Sequence, residues 1–253
     1  SKIIKKDNSV KKCEVDTSLD TLEVTSDFFL TKSHEQSYYA ALSKARTIQS
    51  NNRLIDVSSK EWKKKYWKTY HCKSILLQEG VKSKGKLCRK RWCENCNRIK
   101  TAEMMNGYSK PLQDLQEEDD LYFITLTSKT VQEKRLRHEI ERRYKAFTRI
   151  KDNLRKNHNI KLVGCRKLEV THNEKEDWYH PHFHFIQKGK REAEMLLEYW
   201  YKHNPLAGAG GQSIKLIDAN NSKSLIELFK YATKEVAKDE INAKALHNIY
   251  KSI

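Results

Sequence analysis

The chain has 253 residues, of which 38% are hydrophobic, so it is long enough for one large domain or for a catalytic domain with a smaller attachment. Its 50 lysines and arginines exceed its 33 acidic residues, which gives a formal net charge of +17. This excess predicts an extended anionic partner and favours nucleic acid over a membrane surface. No apolar stretch approaches the length of a membrane span or a signal-peptide core, so we expect no membrane partner and a cytoplasmic location.

The N-terminal half is predicted to be helical around a cysteine-rich segment. Residues 1–30 are polar, lack a sustained period and are interpreted as a tail or arm. Apolar residues recur at helical spacing in Ser33–Gln49, and Glu61–Tyr70 is a second helix candidate. The cysteine-rich segment follows, and then a helix that we expect to end before Pro111. Together, residues 31–115 are predicted to form a helical DNA-binding region.

The C-terminal half changes to a mixed pattern of strands and helices. Apolar and β-branched runs predict four strands, at Leu121–Thr127, Lys161–Thr171, His182–Gln187 and Ser213–Ile217. Helical periodicity predicts helices at Val131–His158, Arg191–Tyr201 and Lys223–Val236. Short turns and helices between the strands favour an α+β domain over residues 116–240, with an antiparallel sheet flanked by helices. Residues 241–253 are interpreted as a C-terminal tail.

The string His180-Pro-His-Phe-His184 is the most informative part of the sequence. In a strand, alternate side chains point to one face. His182 and His184 should therefore emerge together, while Phe183 and Phe185 enter the core. Two imidazoles on a rigid strand make half of a metal site.

A carboxylate from the preceding strand completes the predicted site. A hairpin through Asn173–Trp178 would bring Glu169 beside the two histidines, and this ligand set fits Mn²⁺ or Mg²⁺. His180 shares the face and could replace either histidine, although Pro181 is expected to mark the start of the strand. The alternative interpretation is a histidine-rich edge strand with no ligand role.

The helix predicted at Lys223–Val236 carries a candidate nucleophile. Glu227, Tyr231 and Lys234 follow one face of this helix at intervals of four and three residues. A lysine one turn away favours the phenolate form of Tyr231, which would suit it for attack on a phosphate. Glu227 could serve as a general base in a later step. The alternative is a tyrosine at the edge of the core and a Glu–Lys pair in solvent.

Four cysteines within one short segment favour a structural zinc site over free thiols. Cys72, Cys88, Cys93 and Cys96 can close a tetrahedral site, in which His71 could substitute for Cys72.

Several basic residues lie among or near these cysteines and are candidates for DNA contact. The stretch Lys82–Lys100 holds eight basic residues and one acid. The predicted DNA-binding residues are Arg89, Lys90, Arg91, Arg98 and, in the C-terminal helix, Lys230. Cys13 and Cys165 have no partners by spacing and are interpreted as isolated thiols.

Together these strings resemble the rolling-circle plasmid replication initiators, a branch of the His-hydrophobe-His (HUH) endonuclease superfamily. Phe123–Thr127, His180–His184 and Glu227–Tyr231 are similar to the three signatures of the family and appear in the same order. Cys88–Cys96 resembles the arginine-bearing cysteine cluster that precedes them, although this chain has Cys93-Glu where the family often has Cys-Pro. The resemblance covers roughly Ser37–Lys238.

The resemblance implies an HUH nuclease fold and a tyrosine DNA endonuclease. Tyr231 would attack one strand at a plasmid double-strand origin and stay joined to the 5′ phosphate, and the released 3′ hydroxyl would prime replication. Glu227 would activate water for termination, and Lys234 would steady the phosphate or the phenolate. The partners would be origin DNA, both duplex and exposed single strand, in a bacterial cytoplasm. The oligomeric state stays open, with a dimer as one option.

A host helicase is expected as a further partner, because the chain shows no nucleotide-binding loop of its own. The segment Gly80–Lys86 is followed by Leu87 instead of the Ser or Thr that would hold Mg²⁺.

Two other functions compete with replication initiation. A conjugative relaxase or a single-strand transposase would use related chemistry, but relaxases more often carry three histidines and an N-terminal tyrosine. A non-catalytic, zinc-containing DNA-binding regulator would bind duplex DNA without cutting it.

Overall fold

The computed structural model describes residues 32–74, 76–79, 82–221, 225, 229 and 237–253. In chain order the elements are α1 (Lys32–Asp56), α2 (Lys60–Tyr70), β1 (Leu76–Glu79), β2 (Lys82–Gly85), α3 (Glu94–Glu118), β3 (Leu121–Thr127), α4 (Glu133–His158), β4 (Gly164–Asn173), β5 (Trp178–Lys188), α5 (Lys190–His203), a 3-10 turn (Ala209–Gly211), β6 (Ser213–Ile217) and α6 (Glu240–Ser252). Residues 39–253 form one compact unit, to which the following description applies. Within the described ranges, no helix is both long and apolar enough to cross a bilayer.

Strands β3 to β6 form an antiparallel sheet in the order β4-β5-β3-β6. Because alternate residues of a strand point to opposite faces, the register sorts the side chains of this sheet into two sets. Leu168, Phe183 and Leu126 are neighbours across three strands on one face, where all three are buried. Glu169 and His182, each one residue away, are paired on the opposite face. The predicted α+β fold with an antiparallel sheet is confirmed.

The apolar face of the sheet carries the main core, which is closed by α4, α5 and α6. The ring of Phe183 meets the edge of Trp200 with 5.8 Å between ring centroids. Trp200 Nε1 donates a hydrogen bond of 2.6 Å to the carbonyl oxygen of Thr127, so this buried indole also satisfies its polar atom. Ile150 of α4 and Ile249 of α6 belong to the same core. These three helices do not cover the opposite face of the sheet.

The opposite face has an apolar end, covered partly by α3. Leu121 and Ile186 pack there with Leu112 of α3 and with Leu225 and Phe229. Both of these last two residues are helical and buried, which agrees with the helix predicted at Lys223–Val236. The remaining residues of that predicted helix lie outside the described residues. Toward the other end of this face, the strands present polar side chains instead.

The helix α3 runs through Pro111 to Glu118, so the prediction that it ends before the proline is wrong. A proline inside a helix removes one hydrogen bond and crowds the carbonyl four residues earlier, at a cost of about 3 kcal/mol. That carbonyl belongs to Gly107, which is exposed and can bind water instead. Leu112 and Leu115, just beyond the proline, pack into the apolar end of the sheet face. This burial offsets the cost of the proline.

The strand β5 begins at Trp178, so Pro181 lies inside the strand and not at its start as predicted. The N–H of Tyr179 donates a hydrogen bond of 2.8 Å to the carbonyl of Val131, on the side where β3 lies. The nitrogen of Pro181, two residues along, faces the same side. Because β3 ends at Thr127, no ladder hydrogen bond is lost at the proline.

Residues 241–253, interpreted from the sequence as a tail, form nearly all of α6. The carboxylate of Asp239 caps this helix by accepting a hydrogen bond of 2.8 Å from the N–H of Asn242. Leu246 and Ile249, three residues apart on one face, are buried in the main core. The last residues of the chain therefore contribute to the hydrophobic core.

The domain boundary predicted between residues 115 and 116 falls inside α3. Residues on both sides of it belong to the same compact unit. The assignment of DNA binding to residues 31–115 and of catalysis to residues 116–240 stays a prediction.

Candidate metal centre and cysteine cluster

Glu169, His182 and His184 come together on the polar part of the sheet face. One potential ligand atom from each residue lies within 4.8 Å of the other two. Glu169 lies on β4 as the register partner of His182 on β5, and β4 and β5 are joined by the predicted turn between Asn173 and Trp178. The structure therefore brings together the three residues that the sequence suggested as metal ligands.

Hydrogen bonds orient both imidazoles of this centre. The Nδ1 of His182 donates to the carbonyl oxygen of His180 at 3.1 Å, which leaves its Nε2 with a free lone pair. The Oγ1 of Thr125 lies 3.3 Å from the Nδ1 of His184, and the Nε2 of His184 faces the Oε2 of Glu169 at 3.4 Å. Such outer contacts select the nitrogen that faces a metal ion. The donor set of two oriented imidazoles and one carboxylate fits a divalent cation.

The electrostatics of the centre favour a neutral imidazole. Burial lowers the pKa of His182 to about 4, against the opposing effect of its hydrogen bond to His180. His182 is 8% exposed and Glu169 is 4% exposed, so both lie largely out of water. A neutral imidazole is the form that binds a metal ion. His182 is therefore held in its ligating form at neutral pH.

His180 lies beside the candidate centre. Its ring stacks on that of His182 with 5.2 Å between centroids and 28° between planes. The close group of donor atoms in the described structure contains His182 and His184 but not His180. The geometry therefore favours His182 and His184 as the histidine ligands, as the sequence predicted.

The four clustered cysteines also meet in space. The Sγ of Cys72 lies 3.5 Å from that of Cys96 and 3.6 Å from that of Cys93, and the Sγ atoms of Cys88 and Cys96 are 3.6 Å apart. All four are free thiols, well beyond disulfide bonding distance. A tetrahedral zinc site with bonds of about 2.3 Å places its sulfur atoms about 3.8 Å apart. The cluster is therefore close to the size that a zinc ion requires.

The close contacts among these thiols shift their pKa values in different directions. A hydrogen bond shared with Cys93 lowers the pKa of Cys88 to about 5 and raises the pKa of Cys93. Burial raises the pKa of Cys96 to about 11. Without a cation, the cluster favours one thiolate stabilised by its neighbouring thiols. A bound metal ion would supply the positive charge that lets the others ionise.

Three elements hold the cysteines in place. Cys72 follows α2, Cys93 is the N-cap of α3, and Cys96 lies in the first turn of α3, where the helix dipole favours a thiolate. His71 is exposed, and the close group of donor atoms contains Cys72 in its place. Cys165 is a half-buried free thiol on β4, as the spacing indicated. Cys13 lies outside the described residues.

A protein-family model described as "Replication protein" matches residues 80–191 of the chain. This range holds three of the four clustered cysteines and all three ligands of the candidate metal centre. Over these residues the chain is similar to this family of replication proteins. The resemblance to rolling-circle plasmid initiators is thereby confirmed.

Two relatives extend the comparison. A protein from Staphylococcus aureus named "Protein rep" is 29% identical over 164 residues, which cover 60% of this chain and 71% of the relative. A "Protein rep" from Streptococcus pneumoniae is 25% identical over 186 residues, and the chain spans 57% of its length. No solved structure matches this chain at a significant level.

Four of the predicted DNA-binding residues lie close to the clustered cysteines along the chain. Arg89 and Arg98 are exposed, while Lys90 and Arg91 are partly buried. The guanidinium of Arg89 forms an ion pair of 3.1 Å with Glu103, and this pair lies open to solvent. Contact between these residues and DNA stays a prediction. Lys230 lies outside the described residues.

The predicted catalytic residues Tyr231, Glu227 and Lys234 lie outside the described residues. Phe229, which precedes Tyr231 by two positions, is described and stacks on Tyr108 of α3 with 5.4 Å between centroids. A cleft of about 200 Å³ is lined by both Phe229 and Lys167.

Sequence reasoning missed Lys167 as a member of the candidate centre. Its Nζ lies 3.7 Å from the Oε2 of Glu169, and it is the register partner of His184. The signal was present in the sequence, because residues two apart on a strand share one face. Thr125 was also missed. It lies on β3 as the register partner of His184, and this pairing depends on how the two strands align.

Proposed function

We propose that this chain is a replication initiator, which cuts one strand of DNA at a plasmid double-strand origin through a 5′-phosphotyrosine link to Tyr231 and later rejoins the strand or terminates replication. The observation that carries the proposal is the meeting of Glu169, His182 and His184 on the rigid ladder of β4 and β5. A cytoplasmic setting in a bacterial cell belongs to the same proposal, because both relatives are bacterial.

The candidate centre would hold a divalent cation, Mn²⁺ or Mg²⁺. Such an ion supplies positive charge that polarises a scissile phosphate and offsets the charge of the transition state. His182 and His184 contribute neutral imidazoles, and Glu169 contributes the one carboxylate of the close group. Lys167, beside Glu169, adds a positive charge on the same face, where a phosphate oxygen would lie.

The covalent step would be carried by Tyr231, in the helix predicted at Lys223–Val236. The Tyr231 oxygen would form a bond to the phosphorus while the bond to the 3′ oxygen breaks. The phenol would lose its proton to solvent and the 3′ oxygen would gain one, leaving a free 3′ hydroxyl. Lys234 would favour the phenolate, and Glu227 would later take a proton from the water that releases the 5′ phosphate.

The packing of Phe229 supports this assignment. Its ring is buried on the same sheet face as the candidate centre, in the apolar cluster with Ile186. Ile186 lies two residues from His184 on β5, so the two side chains share that face. Phe229, which belongs to the helix predicted at Lys223–Val236, is thus packed close to the metal ligands along the strand.

A covalent-adduct assay tests the proposal. A fluorescent hairpin of the plasmid origin is incubated with Mn²⁺ and then separated under denaturing conditions. Wild-type protein and Tyr144→Phe should give a labelled protein band, since Tyr144 lies on α4, on the opposite side of the sheet. Tyr231→Phe should give none. Absence of the band with wild-type protein across origin hairpins and divalent metals would reject the proposal.

The same assay separates the competing functions. A zinc-containing regulator, which the cysteine cluster with its neighbouring arginines favours, would bind duplex DNA and form no adduct. A relaxase or transposase would form an adduct on its own recognition hairpin and not on a replication origin. A host helicase remains part of the proposal, because a nicked origin must be unwound.

A further inference from the structure

A second concave site lies beyond the end of β3. It is a cavity of about 310 Å³ between the segment that follows β3, the N-terminal half of α4 and the segment that follows α5. Its cationic and imidazole lining consists of Lys129, Arg135, His138, Arg142 and His203. The volume is in the lower range of cavities that hold small organic ligands. Its charge indicates an anionic ligand.

One carboxylate lies in the described lining, and it is already neutralised. Glu139 is 4% exposed and accepts hydrogen bonds from Ser128 and Arg142, and also from Arg143 of the same helix. Although burial alone would raise it, these arginines lower the pKa of Glu139 to about 2. The carboxylate therefore orders the arginines and stays ionised. Lys129 and Arg135 add further positive charge to the site.

Part of the lining is apolar. Val131, Pro205 and Leu206 line the same cavity. An exposed leucine by itself carries little information, but Leu206 is 71% exposed beside a proline at a concave site. A nucleotide combines a flat base, which suits an apolar wall, with a phosphate, which suits cations. This combination distinguishes the cavity from a simple anion site.

The cavity and the candidate metal centre share structural elements. Thr127, the last residue of β3, is the register partner of His182, and the next residue, Ser128, already lines the cavity. The segment after α5 reaches both places, because it lines the cavity at Asn204 and later presents Gln212 to Thr127. The side chain of Gln212 accepts a hydrogen bond of 2.8 Å from the N–H of Thr127. A strand held at the metal centre thus lies close to the cavity.

We infer that the cavity binds one unpaired nucleotide of the DNA strand that is held at the candidate metal centre. The inference rests on the proposed function and adds a subsite to it. The base would lie against Val131, Pro205 and Leu206, and the adjoining phosphate would contact Arg135 and Lys129. The site would thereby help to select single-stranded over duplex DNA near the nick, since a paired base cannot enter.

Binding measurements in the Tyr231→Phe background test the inference without requiring cleavage. Fluorescence anisotropy is recorded with a labelled single-stranded origin oligonucleotide. Arg135→Gln should weaken binding about fivefold to tenfold. Arg137→Gln is the matched control, because Arg137 is exposed on the same helix and does not line the cavity. It should change binding by less than about twofold, since it removes the same charge outside the site.

An abasic scan identifies the bound nucleotide. Removing the base at one position near the nick should weaken binding to the parent protein about fivefold or more. The same abasic change should have little effect on Leu206→Ser, because the base and the leucine act as a pair. Leu206 is exposed, so this variant should keep its fold. Equal losses for the two proteins at every position would overturn the inference.

Free mononucleotides distinguish a strand subsite from an effector site. Thymidine and adenosine monophosphates at millimolar concentration should compete weakly with the oligonucleotide and should leave the abasic pattern in place. Tight mononucleotide binding with a flat abasic scan would overturn the inference, as would equal affinities of Arg135→Gln and Arg137→Gln. None of these readouts uses the covalent adduct, so failure of the nicking reaction is recorded separately.

Discussion

Glu169 is the register partner of His182 in the ladder between β4 and β5, and its Oε2 also lies 3.4 Å from the Nε2 of His184. The backbone of two paired strands therefore determines the separation of these groups. A ligand on such a rigid element is held in a precise geometry. This property makes single substitutions at the centre informative about chemistry.

His182→Ala should abolish strand cleavage and spare most duplex binding. The substitution removes one of two imidazole ligands, and even contacts outside a metal's ligand shell cost about 10- to 100-fold, so we expect a loss of at least about 100-fold. His180→Ala is the control, because its ring stacks on His182 and lies outside the close donor group. Cleavage rates and Mn²⁺ affinity by calorimetry measure the effect. Unchanged Mn²⁺ affinity in His182→Ala would remove this residue from the centre.

Cys93→Ser should release bound zinc and lower the thermal stability. Cys93 is fully buried in the cluster, at the N-cap position of α3. Since the binding free energy of a structural metal is also folding free energy, we expect the Tm to fall by at least about 5 °C. Metal analysis and calorimetry provide the measurements. Cys165→Ser, which makes the same atomic change outside the cluster, should retain the zinc; a Cys93→Ser protein with full zinc content would contradict the assignment.

Glu139→Gln should destabilise the protein strongly. It leaves the guanidinium of Arg143, which is fully buried, without its charged partner, and breaking such a pair costs about 3–5 kcal/mol. Glu141→Gln removes an exposed partner of Arg137 on the same helix and should cost less than about 1 kcal/mol. Urea unfolding gives both free energies. Equal losses for the two variants would show that Glu139 does not stabilise the buried arginine.

Acid should destabilise the fold partly through His247. Burial, with a smaller contribution from Lys251, lowers the pKa of His247 from 6.5 to about 4, and its Nδ1 lies 2.8 Å from the hydroxyl of Tyr66. Between these pH values the unfolded chain binds more protons than the folded one. This contribution to stability should be complete above about pH 7 and should decrease, by up to about 3 kcal/mol, as the pH falls to 4.

The pH slope of stability isolates this histidine. Urea unfolding between pH 4 and 7 should show a steeper dependence for wild-type protein than for His247→Gln. His71→Gln, at an exposed position, should keep the wild-type slope. Parallel curves for wild type and His247→Gln would mean that other groups cause the acid sensitivity.

Local sequence was sufficient to predict features that depend on a single strand, helix or turn. The alternation from His182 to Phe185 separates imidazoles from phenyl rings on any strand, and the structure has both phenyl rings buried. Spacing likewise predicted that Cys88, Cys93 and Cys96 would meet, because a turn and the first turn of a helix keep them close along the chain.

The tertiary structure decided what depends on contacts between distant segments. Pro111 stays inside α3 because the buried Leu112 and the partly buried Leu115 pack against a sheet that begins at residue 121. Helix α6 forms because Leu246 packs into the main core. The register between strands placed Lys167 beside the metal ligands. Secondary-structure propensity and hydrophobic periodicity act within a few residues. The free energy of burial depends instead on which surfaces contact each other in the folded chain.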